Sequence, residues 1–525
     1  MVEERKLPIG IQSFEKLRDE GFVYVDKTEY VYRVAHAAVQ FFLSRPRRFG
    51  KSLFLSTLKA YWEGKKELFN GLAIEKLEED NPEAWQKYPV FYFDFNGKDY
   101  TKTGALEEKL SAILGRLEKE YDCVKKDCSL EERFEDILIR AREKTGLRCV
   151  VLVDEYDKPL LETIDNTELQ EHNKAVFKGF FSVLKSSDEY IRFVFITGVT
   201  KFHKVSIFSD LNQLRDISLN EEFSGICGIT EKELRKDLMP EIASMAIHKK
   251  ITEEECISRL KKQYDGYRFS QDGANVYNPF SLVNALCDKK FSSYWFGTGT
   301  PTFLVKVLRN DRFDVRKFTN KTIYATESIL QDYTGDEMSL IPLLYQSGYL
   351  TIDEYDEHLK RYTLCLPNEE VKYGLLNSLM PSYVPDVTKA NGLDIFTFED
   401  HIENGRLDEL KNYFTALFAS ITYTSSETVF EHYFQTVIYL VFTLLGQYVI
   451  CEMHTFSGRI DCKVETDKFV YLFEFKRDES AESALKQIGD KSYDLPFAAD
   501  SRKIYKIGVS FDSEKRILSD WKVTE

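Results

Sequence analysis

The sequence predicts an α/β multidomain protein: a parallel sheet covered by helices, a mostly helical middle region and a smaller C-terminal α/β domain. Three observations predict it. Four strongly apolar runs alternate with charged, helix-like stretches through the first ~220 residues. From about Glu222 to Pro385 the helical period dominates, broken by one candidate hairpin at 348–367. Beyond "MPSYVPDVTKANG", whose two prolines and glycine read as a linker, a strand pair, a helix and a further strand follow. The chain has 525 residues, more than one hydrophobic core usually serves. The expected divisions are 1–225, 226–390 and 391–525.

In chain order, the candidate strands are "VQFFLS" (39–44), "YPVFYFDF" (88–95), "RCVVLVDE" (148–155) and "IRFVFITGV" (191–199). Each is rich in β-branched or aromatic residues and almost continuously apolar, as strands buried on both faces of a parallel sheet are. "GALEEKLSAILGRLEKEY" represents the helices between them. The hairpin at 348–367 suggests a winged element in the middle region. In the C-terminal part, an apolar helix over 426–446 precedes a strand pair at 459–476, a helix at 480–491 and the strand "KIYKIGVSF".

Composition narrows the function. Hydrophobic residues make up 43% and charged residues 30%, as in globular proteins. The longest apolar run, Val437 to Leu445, is far short of the ~18 residues of a membrane span. "MVEERKLPIG" has no apolar segment of the export-signal kind. The nine cysteines form no C-x-x-C pair, so reduced thiols in a cytoplasmic protein are expected and a zinc site is not. The formal net charge of −15 argues against nonspecific duplex binding by the body of the protein.

Two places carry chemistry. "LSRPRRFGKSLFLS" (43–56) ends as a phosphate-binding loop does, with Gly50-Lys51-Ser52 between a strand and a helix. Backbone N–H groups of Arg47, Arg48, Phe49, Gly50, Lys51, Ser52 and Leu53 would cradle phosphate at a helix N-terminus. Lys51 would reach the β/γ-phosphates, and Ser52 would hold Mg²⁺. Arg45 stands where the usual pattern has its first glycine. That matters only if position 45 needs a positive φ, and Pro46 favours an extended conformation there. The three residues alone would also suit a basic turn. The partner strand weakens that reading: in "CVVLVDEYDKP" Asp154 follows the apolar run and can hold Mg²⁺ through water, Glu155 can polarise the attacking water, and Thr197 in "FVFITGVTKF" can sense the γ-phosphate.

These segments, with "YVDKTEY" (24–30) and "FITGVTKFHKVSIFSDLNQLRDISL" (195–219), resemble the AAA-ATPase-like family of bacterial proteins over roughly residues 7–230. In that family the loop reads R-P-R-R-F-G-K-S, so Arg45 matches a family variant. The resemblance implies a P-loop ATPase of the additional-strand class, related to signalling and archaeal ATPases, with ATP and Mg²⁺ as cofactors. Asp26-Lys27-Thr28 match a family motif near the expected base pocket. Arg215 is an arginine-finger candidate by location.

The second place is "GRIDCKVETDKFVYLFEFKRD" (458–478), read as a hairpin. Strand period two puts Glu474 and Lys476 on one face. Pairing Glu465 with Lys468 around a Thr466-Asp467 turn would oppose Asp461 to Leu472 and keep Asp461 on the face of Glu474. An odd loop would flip it. Two carboxylates and a lysine suit metal-dependent phosphodiester cleavage: Asp461 and Glu474 as hard oxygen ligands to Mg²⁺, Lys476 to orient or deprotonate water. A salt-bridged strand pair is the plainer reading.

With the apolar helix before it, carrying Glu431 and Gln435 at i, i+4, and "SALKQIGDKSY" after it, this hairpin resembles the PD-(D/E)XK nuclease superfamily over about residues 395–520. The resemblance implies a restriction-endonuclease-like α/β domain with Asp461, Glu474 and Lys476 as the catalytic set. It adds Glu431 as a helix carboxylate, and Gln487 and Tyr493 in support. Ile460 stands where a proline is usual. From Asn391 on, the net charge is roughly −8, with Lys486, Lys491, Arg502, Lys503 and Lys506 the local basic cluster. The expectation is therefore an ATPase coupled to a metal-dependent DNA nuclease, gripping nucleic acid with help from other domains or a homo-oligomer. Analogy points to host defence or mobile-element biology. The alternative is an ATP-driven switch whose nuclease-like domain is a non-catalytic binding module.

Overall fold

The computed structural model describes residues 5–123, 128–201, 214–296, 323–331, 340–383, 400–419, 439–440, 448–455, 458–498, 500–512, 514–515 and 517–525. The chain divides into two compact units. The first comprises Met1–Thr298 with Tyr324–Glu370, the second Gly299–Ile323 with Val371–Glu525.

The first unit is built on strands β1 (Gln40–Ser44), β2 (Val90–Asp94), β3 (Cys149–Asp154), β4 (Ile191–Gly198) and β5 (Arg215–Asp216). They form one sheet in the order β2-β3-β4-β1-β5, every pairing parallel. β4 thus lies between the strand that leads into the Arg45–Gly50 loop and the strand that ends at Asp154, which is the additional-strand arrangement. β3 is buried along its whole length because both faces are covered. On one face Phe93 meets Phe134 and Phe180 at ring separations of 5.3 and 5.4 Å. These come from the helices Leu130–Thr145 and Thr167–Ser186. On the other face the helix Lys51–Trp62 lays Phe54 on Phe195 and Trp62 on Phe193. Each such ring stabilises the sheet by about 1.5–3 kcal/mol on burial.

Helices Glu231–Asp237, Met239–Lys249, Glu253–Tyr264 and Pro279–Asp288 follow, around Leu234, Ile242, Met245, Leu260 and Leu282. The two-stranded pair β6 (Ile229–Thr230) and β7 (Val276–Tyr277) closes this part. β8 (Ile323–Ala325), β9 (Thr351–Asp356) and β10 (Arg361–Cys365) make a sheet in the order β8-β10-β9, so the hairpin expected at 348–367 is present as antiparallel β9–β10. Of the linker expected over 380–392, the first residues continue the helix Glu369–Tyr383, which runs through Pro381, and the rest lies outside the described residues.

The second unit carries β11 (Tyr448–Thr455), β12 (Gly458–Glu465), β13 (Phe469–Arg477), β14 (Lys503–Asp512) and β15 (Ile517–Thr524) in sequential order. β13 and β14 are parallel and joined through the helix Ala481–Asp490. The other pairings are antiparallel. β11 and β15 extend the sheet beyond the strands read from sequence. Among the described residues no helix is long and apolar enough to cross a membrane.

Candidate functional sites

The loop after β1 resolves the question of Arg45. Its backbone N–H donates to the Gly198 carbonyl, 3.2 Å away, and its φ is not positive. The left-handed positions of the loop are Arg48, with φ 65°, and Gly50, with φ 95°. A glycine is therefore needed at 50, not at 45. Arg48 holds its conformation at a cost of about 1–2 kcal/mol. The Arg45 side chain turns away from the loop and is 2% exposed. It donates to the carbonyls of Ser44, Ser218 and Phe223 and stacks on Phe269 with its guanidinium carbon 4.2 Å from the ring centre. Burial pushes its pKa down from the usual arginine value.

Lys51 is buried and donates to the carbonyls of Arg45 and Pro46, at 2.9 and 3.0 Å. Both of these partners are neutral carbonyls. A cavity of about 520 Å³ opens beside it, a size suited to a nucleotide. Arg47, Arg48, Phe49, Gly50, Lys51, Ser52, Leu53 and Glu155 line its polar end. Leu7, Ile9, Val23, Ile226, Ile229 and Val283 supply its apolar walls.

At the ends of β3 and β4, Glu155 lines this cavity, whereas Asp154 and Thr197 are not among its lining residues. Asp154 is 2% exposed, and its Oδ1 accepts from the Thr197 hydroxyl at 2.8 Å. The Tyr92 hydroxyl approaches its other oxygen at 3.3 Å. Glu155 adopts φ 50°, and burial raises its pKa against the opposing charge of Lys51. Sequence reasoning passed over Asp157, three residues beyond Asp154. Fully buried, it accepts from Val199 N–H, Thr200 N–H and the Thr200 hydroxyl, fixing the turn after β4. The repeated aspartate in "VDEYDKP" was the available signal. Asp26 and Thr28 bond the backbone of Ala73 and Ile74 and so start the helix Ala73–Leu77. Lys27 pairs with Glu233 at 2.7 Å. Arg215 is not among the cavity's lining residues. Its guanidinium lies 3.9 Å from Glu222.

In the second unit, β12 pairs with β13 one turn position later than the sequence reading had it. Glu465 faces Val470, not Lys468, and Lys463, not Asp461, faces Leu472. The Thr466 hydroxyl is the reason: it accepts from Lys468 N–H and Phe469 N–H and moves the two-residue turn to Asp467-Lys468. The loop remains even, so the side-chain faces are kept. Continuing the register sets Asp461 opposite Glu474. The Asp461 Oδ2 accepts from Phe475 N–H at 2.8 Å.

Glu474 is 1% exposed. One of its oxygens meets the Lys476 ammonium at 3.3 Å, and the other is buried without a hydrogen-bond partner. Burial, then the charge of Asp461, push its pKa up to about 7, against the pull of Lys476. Lys476 also donates to Gln487 Oε1 at 2.5 Å, from the helix that connects β13 to β14. Tyr493 is not a surface residue: it packs with Ile460, Val470, Leu472 and Ile488 in the core. Glu431 and Gln435 lie outside the described residues.

Among the described residues no three His, Cys, Asp or Glu side chains are grouped to hold a metal. Two opposed carboxylates are present, one with an unmet oxygen, and Mg²⁺ needs only one or two when substrate and water complete its shell. The donor set thus fits such an ion. Three members of the local basic cluster are paired: Arg502 with Glu465 and Asp500, Lys503 with Glu525 and Lys506 with Asp494.

Against known proteins, the family described as "Predicted AAA-ATPase" matches residues 8–208, and that described as "PD-(D/E)XK nuclease superfamily" matches residues 429–521. A protein of Azotobacter chroococcum mcd 1, named "Uncharacterized protein in vnfD 5'region", is 36% identical over 531 residues. The alignment covers 98% of each chain.

Proposed function

Because this chain belongs to the family of that Azotobacter protein, and joins an AAA-ATPase-like domain to a PD-(D/E)XK nuclease superfamily domain, we propose that it hydrolyses ATP and that nucleotide state governs metal-dependent cleavage of DNA. The observation that carries the nuclease half is the buried, partnerless Glu474 oxygen opposite Asp461. An isolated carboxylate oxygen away from water costs several kcal/mol unless something neutralises it. A divalent cation does so.

In the first unit the N–H groups of Arg47 to Leu53 and the Lys51 ammonium cradle the phosphates. Lys51 exchanges two carbonyl contacts for phosphate oxygens. Ser52 and Asp154 would hold the accompanying Mg²⁺, with Asp154 oriented by Thr197. Glu155 polarises the attacking water, its raised pKa making it a better proton acceptor. In the second unit Asp461 and Glu474 would hold the cation, which when bound supplies Lewis-acid stabilisation of the phosphate charge. Lys476, fixed by Gln487 and Glu474, orients the water whose oxygen attacks phosphorus as the leaving P–O bond breaks. Glu431 contributes a helix carboxylate on the strength of the resemblance alone. Assembly of several copies would supply the cationic grip that Arg502, Lys503 and Lys506, already paired, do not. By analogy the setting is host defence or mobile-element biology.

Those paired cations favour one second reading, an ATP-driven switch whose nuclease-like domain only binds. A pool of linear, circular and single-stranded DNA with Mg²⁺ or Mn²⁺, with and without ATP, separates the two. Cleavage lost in Lys476→Ala and altered in Lys51→Ala supports coupling. Hydrolysis of ATP with no cleavage under any condition supports the switch.

A further inference from the structure

Two carbonyls of the phosphate loop are held from outside it: that of Phe49 by Gly228 N–H at 3.1 Å, and that of Arg47 by an indole. Trp295 is 7% exposed, and its Nε1–H donates to the Arg47 carbonyl at 3.0 Å across 248 residues of sequence. Its ring packs on Tyr349 at 5.3 Å. Gly348, with φ 90°, faces both: an added Cβ would lie 2.7 Å from Pro46 Cβ and 3.6 Å from the Trp295 ring. Only glycine lets this turn lie against the loop and the indole together.

The main chain at Trp295 is fixed in turn. Glu370, fully buried, accepts from Tyr294 N–H at 2.5 Å and Trp295 N–H at 2.8 Å through one oxygen. Burying a carboxylate to hold two backbone N–H groups is costly for an ordinary turn, which a carbonyl would satisfy as well. Its position in the chain gives it a use. Glu370 stands in the first turn of the helix Glu369–Tyr383, along which the chain passes from the first unit into the second. That passage is therefore tied to one carboxylate, and the carboxylate to the residue gripping Arg47.

We propose that Trp295 is a positioning residue of the nucleotide site, and that Glu370 relays its hold on the Arg47 carbonyl to the helix Glu369–Tyr383, along which the chain passes into the second unit. The proposal rests on the reading of this loop as a triphosphate site and names how that site is regulated and read out. Phosphate binding redirects the N–H groups of the loop, and a carbonyl in the same loop moves with them. The indole bond registers that movement.

The test uses the full chain with ATP and Mg²⁺, measuring affinity by calorimetry and hydrogen–deuterium exchange along the helix Glu369–Tyr383. The wild type should show a nucleotide-dependent change in exchange there. Trp295→Phe, which keeps an aromatic ring and loses the donor, should weaken ATP about threefold to tenfold and abolish that exchange response. Glu370→Gln keeps an acceptor and should retain it; Glu370→Leu should lose it. If Trp295→Phe does not fold, the Gln and Leu pair carries the test. Unchanged affinity with a preserved response in folded Trp295→Phe overturns the proposal. ATP binding without any exchange response in the wild type overturns the relay and leaves the nucleotide site standing. A wild type that binds ATP no better than Lys51→Ala overturns the site itself.

Discussion

The two candidate sites differ in how their charges are met before any ligand arrives. Around the phosphate loop, Lys51 is bonded to two carbonyls, Asp154 to the Thr197 and Tyr92 hydroxyls, and Asp157 to three donors of the β4 turn. In the second unit, Glu474 keeps a buried oxygen with no partner, directly across from another carboxylate. The first site is pre-organised, and Lys51 would exchange its two carbonyl contacts for phosphate oxygens. The second is held in an unfavourable electrostatic state that a cation relieves. Losses at the first should therefore appear in rate and affinity, and changes at the second in stability as well.

The largest expected effect is on cleavage. Lys476→Ala should reduce metal-dependent DNA cleavage by about 10²–10⁴-fold, with ATP affinity unchanged; a parallel loss of ATP binding would show that the two sites are not separable in this way. Next, Glu155→Gln should cut phosphate release by about 10²-fold or more while calorimetry finds ATP bound within a few-fold of wild type. A similar loss of affinity would make Glu155 part of the cradle, not of the chemistry.

Stability sharpens the contrast further. The Glu474 pKa is raised above its ordinary value to about 7. Its contribution to stability is thus fully present below about pH 4.5, the unfolded range, and is lost as pH rises through 7. In EDTA, Glu474→Gln should therefore unfold at higher denaturant concentration than wild type at pH 8, by about 1–3 kcal/mol, and show no advantage at pH 4.5. Adding Mg²⁺ at pH 8 should stabilise wild type and leave the variant unmoved. A destabilised variant at pH 8 would mean the oxygen is satisfied. The smallest effect expected is at Thr197→Val, where loss of one hydrogen bond to Asp154 should weaken Mg²⁺-ATP binding by about 0.5–1.5 kcal/mol; full retention would leave Asp154 held by Tyr92 alone.

The strands of the first sheet were legible because buried parallel strands are apolar throughout. β1 to β4 fall within two residues of their predicted ends. β5 has two residues and no such signature. β15 was missed because "ILSDWKVT" mixes charges into its run. Parity alone placed Asp461 on the face of Glu474, and it survived a one-residue error in the turn because the loop stayed even. Contacts between distant segments were not legible. Nothing in "RPRRFGKS" says that Arg45 will be taken up by the carbonyls of Ser218 and Phe223, or Arg47 by an indole 248 positions on. Nor does a charge count, which treats each lysine alone, reveal that Asp494, Asp500 and Glu525 pair with the basic cluster in the fold.

The break in the first unit along the chain bears on the order in which it can be made. The first unit is not continuous in the chain: its last 47 residues, Tyr324–Glu370, come after a break that follows Thr298. At about 5–20 residues per second, a ribosome exposes the whole β1–β5 sheet well before Glu370 emerges. Until then Tyr294 and Trp295 have no carboxylate to hold them, and Lys201 N–H has no Gln346 to donate to. The nascent first unit therefore waits on a segment made long after its sheet, and a truncation at residue 298 would strand it in that unfinished state.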